Sequence, residues 1–229
     1  MPPGPRALIF DFDGSIADSE PLHLAAFQET LTGEGIPLTV EEYYAHYLGF
    51  DDHDAIVEAL RRAGEVPSPG RVRALMARKA DAFLARVRAG VPLFPGVAAF
   101  VHAAAERVPL AVASGALRHE IELILGQVGL APAFVGIVSA GDVAAGKPSP
   151  EGFLRARDLL APRVPGLTAA ECLVVEDSRA GVEGASRAGM RCLAVTNSYP
   201  AKDLRAADLV VTSLEGVGWD QLAALFEDG

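Results

Sequence analysis

Two carboxylates stand one residue apart in Leu8-Ile9-Phe10-Asp11-Phe12-Asp13-Gly14-Ser15, where an apolar run stops at a glycine turn. Alternate residues of a strand share a face, so a strand carried through this run sets Asp11 and Asp13 side by side. Like charges that close raise each other's pKa unless something offsets the repulsion. A hard divalent cation held by oxygens would do so, as would a proton shared for acid–base work. A plain strand-end turn with solvated acids is the third reading. Three further segments carry reactive side chains. Leu110 to Ser114 is an apolar run ending in a hydroxyl, followed by Gly115. Lys147 stands in Gly146-Lys147-Pro148-Ser149-Pro150, just ahead of a helix start. Leu173-Val174-Val175-Glu176-Asp177-Ser178 ends in two more acids, although Asp177 or Ser178 could simply cap the next helix.

The elements that must position these residues follow from hydrophobic patterning. Strand signals fall at about 7–12, 110–114, 136–139, 172–176, 192–196 and 209–211. Most are short continuous apolar runs, which suit strands covered on both faces of a parallel sheet. Helical patterns at about 97–107, 118–128, 151–160, 180–188 and 214–226 alternate with them. That alternation predicts an α/β fold, a Rossmann-like doubly wound parallel sheet. Active sites of such sheets lie at the carboxyl ends of the strands. Asp11, Ser114 and Glu176-Asp177 all fall there.

Residues 16–92 break the alternation. They read as helices near 22–34, 40–46, 52–63 and 71–89, punctuated by glycines and prolines. The predicted organisation is an α/β core of residues 1–15 and 93–229 with an inserted all-helical cap domain, 16–92. A cap closing over strand-end chemistry would exclude water and supply specificity contacts.

Composition limits the partners. Of 229 residues, 50% are apolar, and the net charge is −10. So acidic a chain is poorly suited to nucleic acid or anionic membranes. A phosphorylated substrate would have to be drawn by local cations. Cys172 and Cys192 lie in apolar runs and read as buried free thiols. The amino-terminal apolar run is too short for a secretory signal, and no stretch is long and apolar enough to span a bilayer. The expectation is a cytoplasmic protein, a monomer or weak dimer.

Taken together, the four segments resemble the haloacid dehalogenase-like (HAD) hydrolase superfamily, in its phosphatase and β-phosphoglucomutase-like branch with a helical cap. The resemblance covers nearly the whole chain. It implies an Mg²⁺-dependent phosphoryl-transfer enzyme acting on a small phosphorylated metabolite. Asp11 would be the nucleophile, forming an aspartyl phosphate. Asp13 would protonate the leaving oxygen and then deprotonate water. Mg²⁺ would be held by Asp11, the Asp13 carbonyl and Asp177, with Glu176 in or next to its coordination sphere. Lys147 would neutralise charge, and Ser114 with the Gly115 N–H would bind a phosphoryl oxygen. Two positions depart from the commoner pattern: Ser15, where Thr or a small apolar residue is usual, and Glu176, where many members have Gly.

The cap bears on substrate. The resemblance assigns His23 to positioning the acid–base aspartate and Lys79 to meeting the substrate. The bland reading of Lys79 is a solvated face among Arg71, Arg73, Arg86 and Arg88. In Leu48-Gly49-Phe50-Asp51-Asp52-His53, Leu48 and Asp52 stand where β-phosphoglucomutases carry the lysine and arginine that serve a second phosphate. Asp52 would repel a bisphosphate, which favours a phosphatase over a sugar phosphomutase. A metal-free dehalogenase or a phosphonate hydrolase would lack Asp13. A receiver-like phospho-aspartate signalling module would lack the helical insert.

Overall fold

The computed structural model describes residues 4–48 and 50–227; Gly49 of the singled-out loop lies outside them. The chain forms two compact units, one of residues 1–18 and 92–229, the other Ser19–Val91.

The first unit is built on six strands: β1 (Ala7–Phe10), β2 (Leu110–Ala113), β3 (Phe134–Val138), β4 (Cys172–Glu176), β5 (Arg191–Val195) and β6 (Leu209–Val211). Their order is β3-β2-β1-β4-β5-β6, and every neighbouring pair is parallel. The central strands β1, β2 and β4 are buried throughout, as their unbroken apolar runs require. The edge strands β3 and β6 are only partly covered.

Side-chain alternation splits the core into two layers. One face of the sheet (Ala7, Ile9, Ala111, Ala113, Cys172, Val174, Cys192, Ala194) packs with Phe153, Ala156, Val182 and Ala185. Phe153 and Ala156 lie on the helix Glu151–Leu160, and Val182 and Ala185 on the helix Arg179–Arg187. On the other face Phe10 meets Phe100 and Phe134 edge-on, with ring centroids 6.0 and 5.7 Å away. Cys172 and Cys192 are buried and free.

The helices in chain order are α1 (Glu20–Thr32), α2 (Val40–His46), α3 (Asp52–Arg62), α4 (Pro69–Ala89), α5 (Val97–Ala105), α6 (Arg118–Gln127), α7 (Glu151–Leu160), α8 (Arg179–Arg187), α9 (Ala201–Leu204) and α10 (Trp219–Ala224). Sequence patterning missed α9 and drew the last helix too long, because 214–218 is turn. Helices α1 to α4 form the second unit around Leu24, Phe27, Leu31, Tyr43, Ile56, Leu60 and Leu75. Their starts are marked chemically. Thr39 and Glu42 form a reciprocal capping box on α2, Asp51 caps α3, and Ser68 caps α4 ahead of Pro69.

The two crossings out of the α/β unit are tied to each other. Asp18 N donates to Pro92 O at 2.9 Å and Phe94 N to Ile16 O at 3.3 Å. Residues Ile16 to Asp18 therefore belong with the sheet unit. The strand order reverses between β1 and β4, so the crevice beyond their carboxyl ends is the topological switch point of the sheet.

Candidate active site

Strand β1 ends one residue before Asp11. The Phe12 carbonyl turns back to accept Ile16 N at 2.8 Å and Ala17 N at 3.1 Å. Asp11 and Asp13 are thus presented by a tight loop, not by one face of a strand as the spacing predicted. Asp11 N still donates to Val175 O of β4 at 2.9 Å, which holds its side chain beside the end of that strand. Asp11 is buried, and Asp13 is half-buried. Gly14 has φ +84°. A Cβ there would also lie 2.0 Å from Asp177 Oδ2, so glycine is required both by conformation and by the approach of the β4 end.

Lys147 reaches this loop from the segment before α7. Its Nζ donates to Asp11 Oδ1 and to Glu176 Oε1, and it lies 5.1 Å from the Phe153 ring centroid. Burial alone would lower the lysine pKa, but the two carboxylates outweigh it and the net shift is upward.

Glu176, the last residue of β4, is fully buried. Its Oε2 accepts from Asp177 N (2.8 Å), Ser178 N (2.9 Å) and Ser178 Oγ (2.9 Å). Both Glu176 oxygens therefore have protein donors, and its clearest structural task is to hold Lys147. Gly181 makes room for it: a Cβ there would stand 1.8 Å from Glu176 Oε1. The cap of α8 is Ser178, whose Oγ accepts from Gly181 N at 3.0 Å. Capping by Ser178 leaves the Asp177 carboxylate for the site.

Asp11, Glu176 and Asp177 each bring a carboxylate oxygen within 4.8 Å of the others, all buried. Burial lifts Asp11 to about 7; Glu176 and Asp13 add to the rise while Lys147 opposes it. Asp177 is likewise pushed well up, first by burial, then by Asp11 and Glu176. Three buried carboxylates sharing one ammonium leave excess negative charge. An all-oxygen donor set of this charge fits a hard divalent cation.

Ser114 follows β2 and is held by Ser114 N donating to Val138 O at 2.9 Å. Its Oγ accepts from Ala116 N at 3.0 Å, so its own proton is left to donate elsewhere. Gly115 continues the same turn and is exposed.

Two residues that sequence reading missed also belong here. Asn197 and Ser198 lie on the turn after β5. Asn197 Nδ2 donates to Gly14 O at 2.7 Å, and the Ser198 side chain hydrogen-bonds the Asp177 carboxylate. Their signal was a polar pair at the end of the strand next to β4, which the strand-end rule could have flagged.

His23 and Lys79 are brought together within the helical unit. Lys79 is 1% exposed, which overturns its solvated-face reading. Its Nζ donates to Asp52 Oδ1 at 2.6 Å, lies 2.8 Å from His23 Nδ1, and sits 4.8 and 5.0 Å from the Phe27 and Phe83 ring centroids. The His23 ring stacks on Phe83 at 4.0 Å. Burial, then the Lys79 charge, hold its pKa well below the usual imidazole value. A neutral ring facing an ammonium through Nδ1 carries its proton on Nε2. Asp52 is thus no unpaired negative charge, and the repulsion argued from it requires correction. Asp51 accepts from Asp54 N at 2.8 Å as the cap of α3.

Known proteins resemble this chain over most of its length. The chain is 31% identical over 228 residues to protein CbbY of Rhodobacter capsulatus, covering 96% of this chain and 98% of that one. It is 31% identical over 211 residues to a phosphoglycolate phosphatase of Pectobacterium atrosepticum, covering 90% and 88%. The crystal structure of CbbY from Rhodobacter sphaeroides in complex with phosphate superposes with a TM-score of 0.80 at 27% identity, over 93% of this chain and 96% of that one. The haloacid dehalogenase-like hydrolase family matches residues 5–189. With that match and those relatives, the chain belongs to the haloacid dehalogenase-like hydrolase family.

Proposed function

We propose that the protein is an Mg²⁺-dependent phosphatase that hydrolyses a small phosphate monoester, a sugar phosphate or similar metabolite, through an aspartyl phosphate on Asp11. The observation that carries this reading is Lys147 bridging Asp11 and Glu176 beside the buried Asp177. Ionised Asp11 attacks phosphorus, and the P–O bond to the leaving group breaks. Lys147 holds the attacking carboxylate in place and offsets charge on the transferring group. The Ser114 hydroxyl, with its proton uncommitted, donates to a phosphoryl oxygen, assisted by the Gly115 N–H. Asp13 gives its proton to the departing oxygen. It then takes one from the water that opens the aspartyl phosphate, returning Asp11 and releasing phosphate. Asp11, the Asp13 carbonyl and Asp177 would hold the cation, and Glu176 serves by fixing Lys147. A bound Mg²⁺ would neutralise phosphoryl charge and orient one oxygen.

The helical unit is proposed as a cap, because the chain leaves the sheet unit a few residues after Asp13 and returns at Pro92. Hydrolysis is preferred over a mutase reaction. A mutase must grip a second phosphate. Asp52 supplies no cation for that, and the Lys79 charge is spent on Asp52 inside the helical unit. The relatives support the substrate class: one is named a phosphoglycolate phosphatase, and a CbbY structure at 26% identity holds xylulose-1,5-bisphosphate. The test is phosphate release across a panel of metabolite phosphates, with and without chelator. Release that needs Mg²⁺ and is not accompanied by isomerisation of glucose 1-phosphate is the expected result. Turnover indifferent to chelation contradicts it.

A further inference from the structure

We infer that Asn197 and Ser198, on the turn after β5, are positioning residues for a divalent cation. This rests on the proposed cation site at Asp11, the Asp13 carbonyl and Asp177. Three chain segments converge there. Gly14 follows Asp13 in the loop after β1, Asp177 is the first residue beyond β4, and Asn197-Ser198 lie on the turn after β5. A Cβ on Gly14 would lie 2.0 Å from Asp177 Oδ2 and 2.8 Å from Ser198 Oγ, so the three are packed to the limit of contact. Asn197 Nδ2 pins the Gly14 carbonyl at 2.7 Å. Its neighbour Ser198 hydrogen-bonds the Asp177 carboxylate.

The turn that carries them is anchored in turn. Thr196 N donates to Val211 O of β6 at 3.0 Å. One rigid turn therefore grips both sides of the cation site. Asn197 sets where the peptide next to Asp13 lies, and Ser198 sets which way the Asp177 carboxylate faces. Outer-sphere partners of this kind orient ligands and typically change metal affinity by about 10–100-fold when removed. Ser198 is exposed, so its removal leaves no buried void.

The test is direct titration of Mn²⁺ and Mg²⁺ into substrate-free protein by calorimetry, with thermal unfolding of the metal-free protein alongside. Ser198→Ala and Asn197→Ala are each expected to raise the metal dissociation constant about tenfold. The metal-free melting temperature of Ser198→Ala should hold, kcat should return at saturating metal, and Ser198→Thr should restore affinity. Asp177→Asn separates this inference from the reading beneath it. If Asp177→Asn abolishes metal binding while Ser198→Ala and Asn197→Ala bind as tightly as the parent, the positioning role is overturned and the cation site stands. If Asp177→Asn also binds normally, the cation site itself falls, and the inference with it.

Discussion

Glu176 and Lys147 form a one-sided partnership. Glu176 Oε1 accepts from Lys147 Nζ, while Oε2 is saturated by two backbone N–H groups and the Ser178 hydroxyl. The side chain is fully buried and cannot rotate away without orphaning three donors.

Glu176→Gln follows from that arrangement. The three donors keep the amide oxygen on their side, so the new NH₂ must face the Lys147 ammonium, donor against donor. Lys147 should shift from Asp11, and kcat should fall about 10–100-fold in a protein that still folds. Steady-state kinetics with a melting curve checks this. An unchanged kcat would mean that Glu176 does not set the lysine.

Gly181→Ala attacks the same carboxylate from the helix. Its Cβ would lie 1.8 Å from Glu176 Oε1, whereas one on Gly184 would lie 3.1 Å from Phe153 Cε2. Gly181→Ala should cost about 1–3 kcal/mol by overpacking and lose activity out of proportion to stability. Gly184→Ala should cost less and retain activity. Denaturant unfolding of both variants decides the order.

The pH dependence of the metal-free protein has a defined sign. Burial lifts Asp11 from 3.8 to about 7, and Asp177 moves the same way. Between the unfolded and folded values the folded state binds more protons than the unfolded chain. Stability from Asp11 is therefore full at low pH and is lost as pH rises from about 4 to about 7. The melting temperature of metal-free protein should fall across that window, and Asp11→Asn should flatten the fall. Mg²⁺ should raise the melting temperature more at about pH 8 than at about pH 5, because protons and cation compete for the same oxygens. A parent and an Asp11→Asn variant with identical pH profiles would contradict the assignment.

The helical unit depends on Lys79 and Asp52, 2.6 Å apart with the lysine side chain 2% exposed. Asp52→Asn removes the carboxylate charge paired with the buried Lys79 ammonium and should cost about 1–3 kcal/mol. Asp52→Arg brings a second cation to that ammonium and should cost more. Adding Lys79→Met should recover part of the loss in either. Thermal unfolding of the single and double variants measures the coupling; additive effects would show that the pair does not interact.

Much of this arrangement was legible in the chain. The central strands announced themselves because burial on both faces demands unbroken apolar runs such as Leu173-Val174-Val175. Asp11, Ser114, Glu176 and Asp177 could be assigned to one edge because parallel strands deliver their carboxyl ends there, whereas Lys147, ahead of a helix, joined them only through the family resemblance. The loop at Phe12 was not legible, since its carbonyl is captured by Ile16 and Ala17 in a turn that spacing alone does not specify. Nor was the task of Glu176, which depends on the turn into α8 delivering three donors to one oxygen. Lys79 could have been read better. Val72, Leu75, Lys79, Ala82 and Phe83 follow one helical stripe, and all are buried; a charge in such a stripe implies a buried partner. That the partner is Asp52 required the tertiary packing of α3 on α4.

The central claim is that Asp11 carries the phosphoryl group. The most direct measurement is acid quench of the turning-over enzyme followed by peptide mass spectrometry. The peptide containing Asp11 should gain one phosphoryl group, more of it should accumulate in Asp13→Asn, and none should form in Asp11→Asn, which should also release no phosphate. Phosphoryl found on another residue, or Asp11→Asn turning over at the parent rate, would contradict the account.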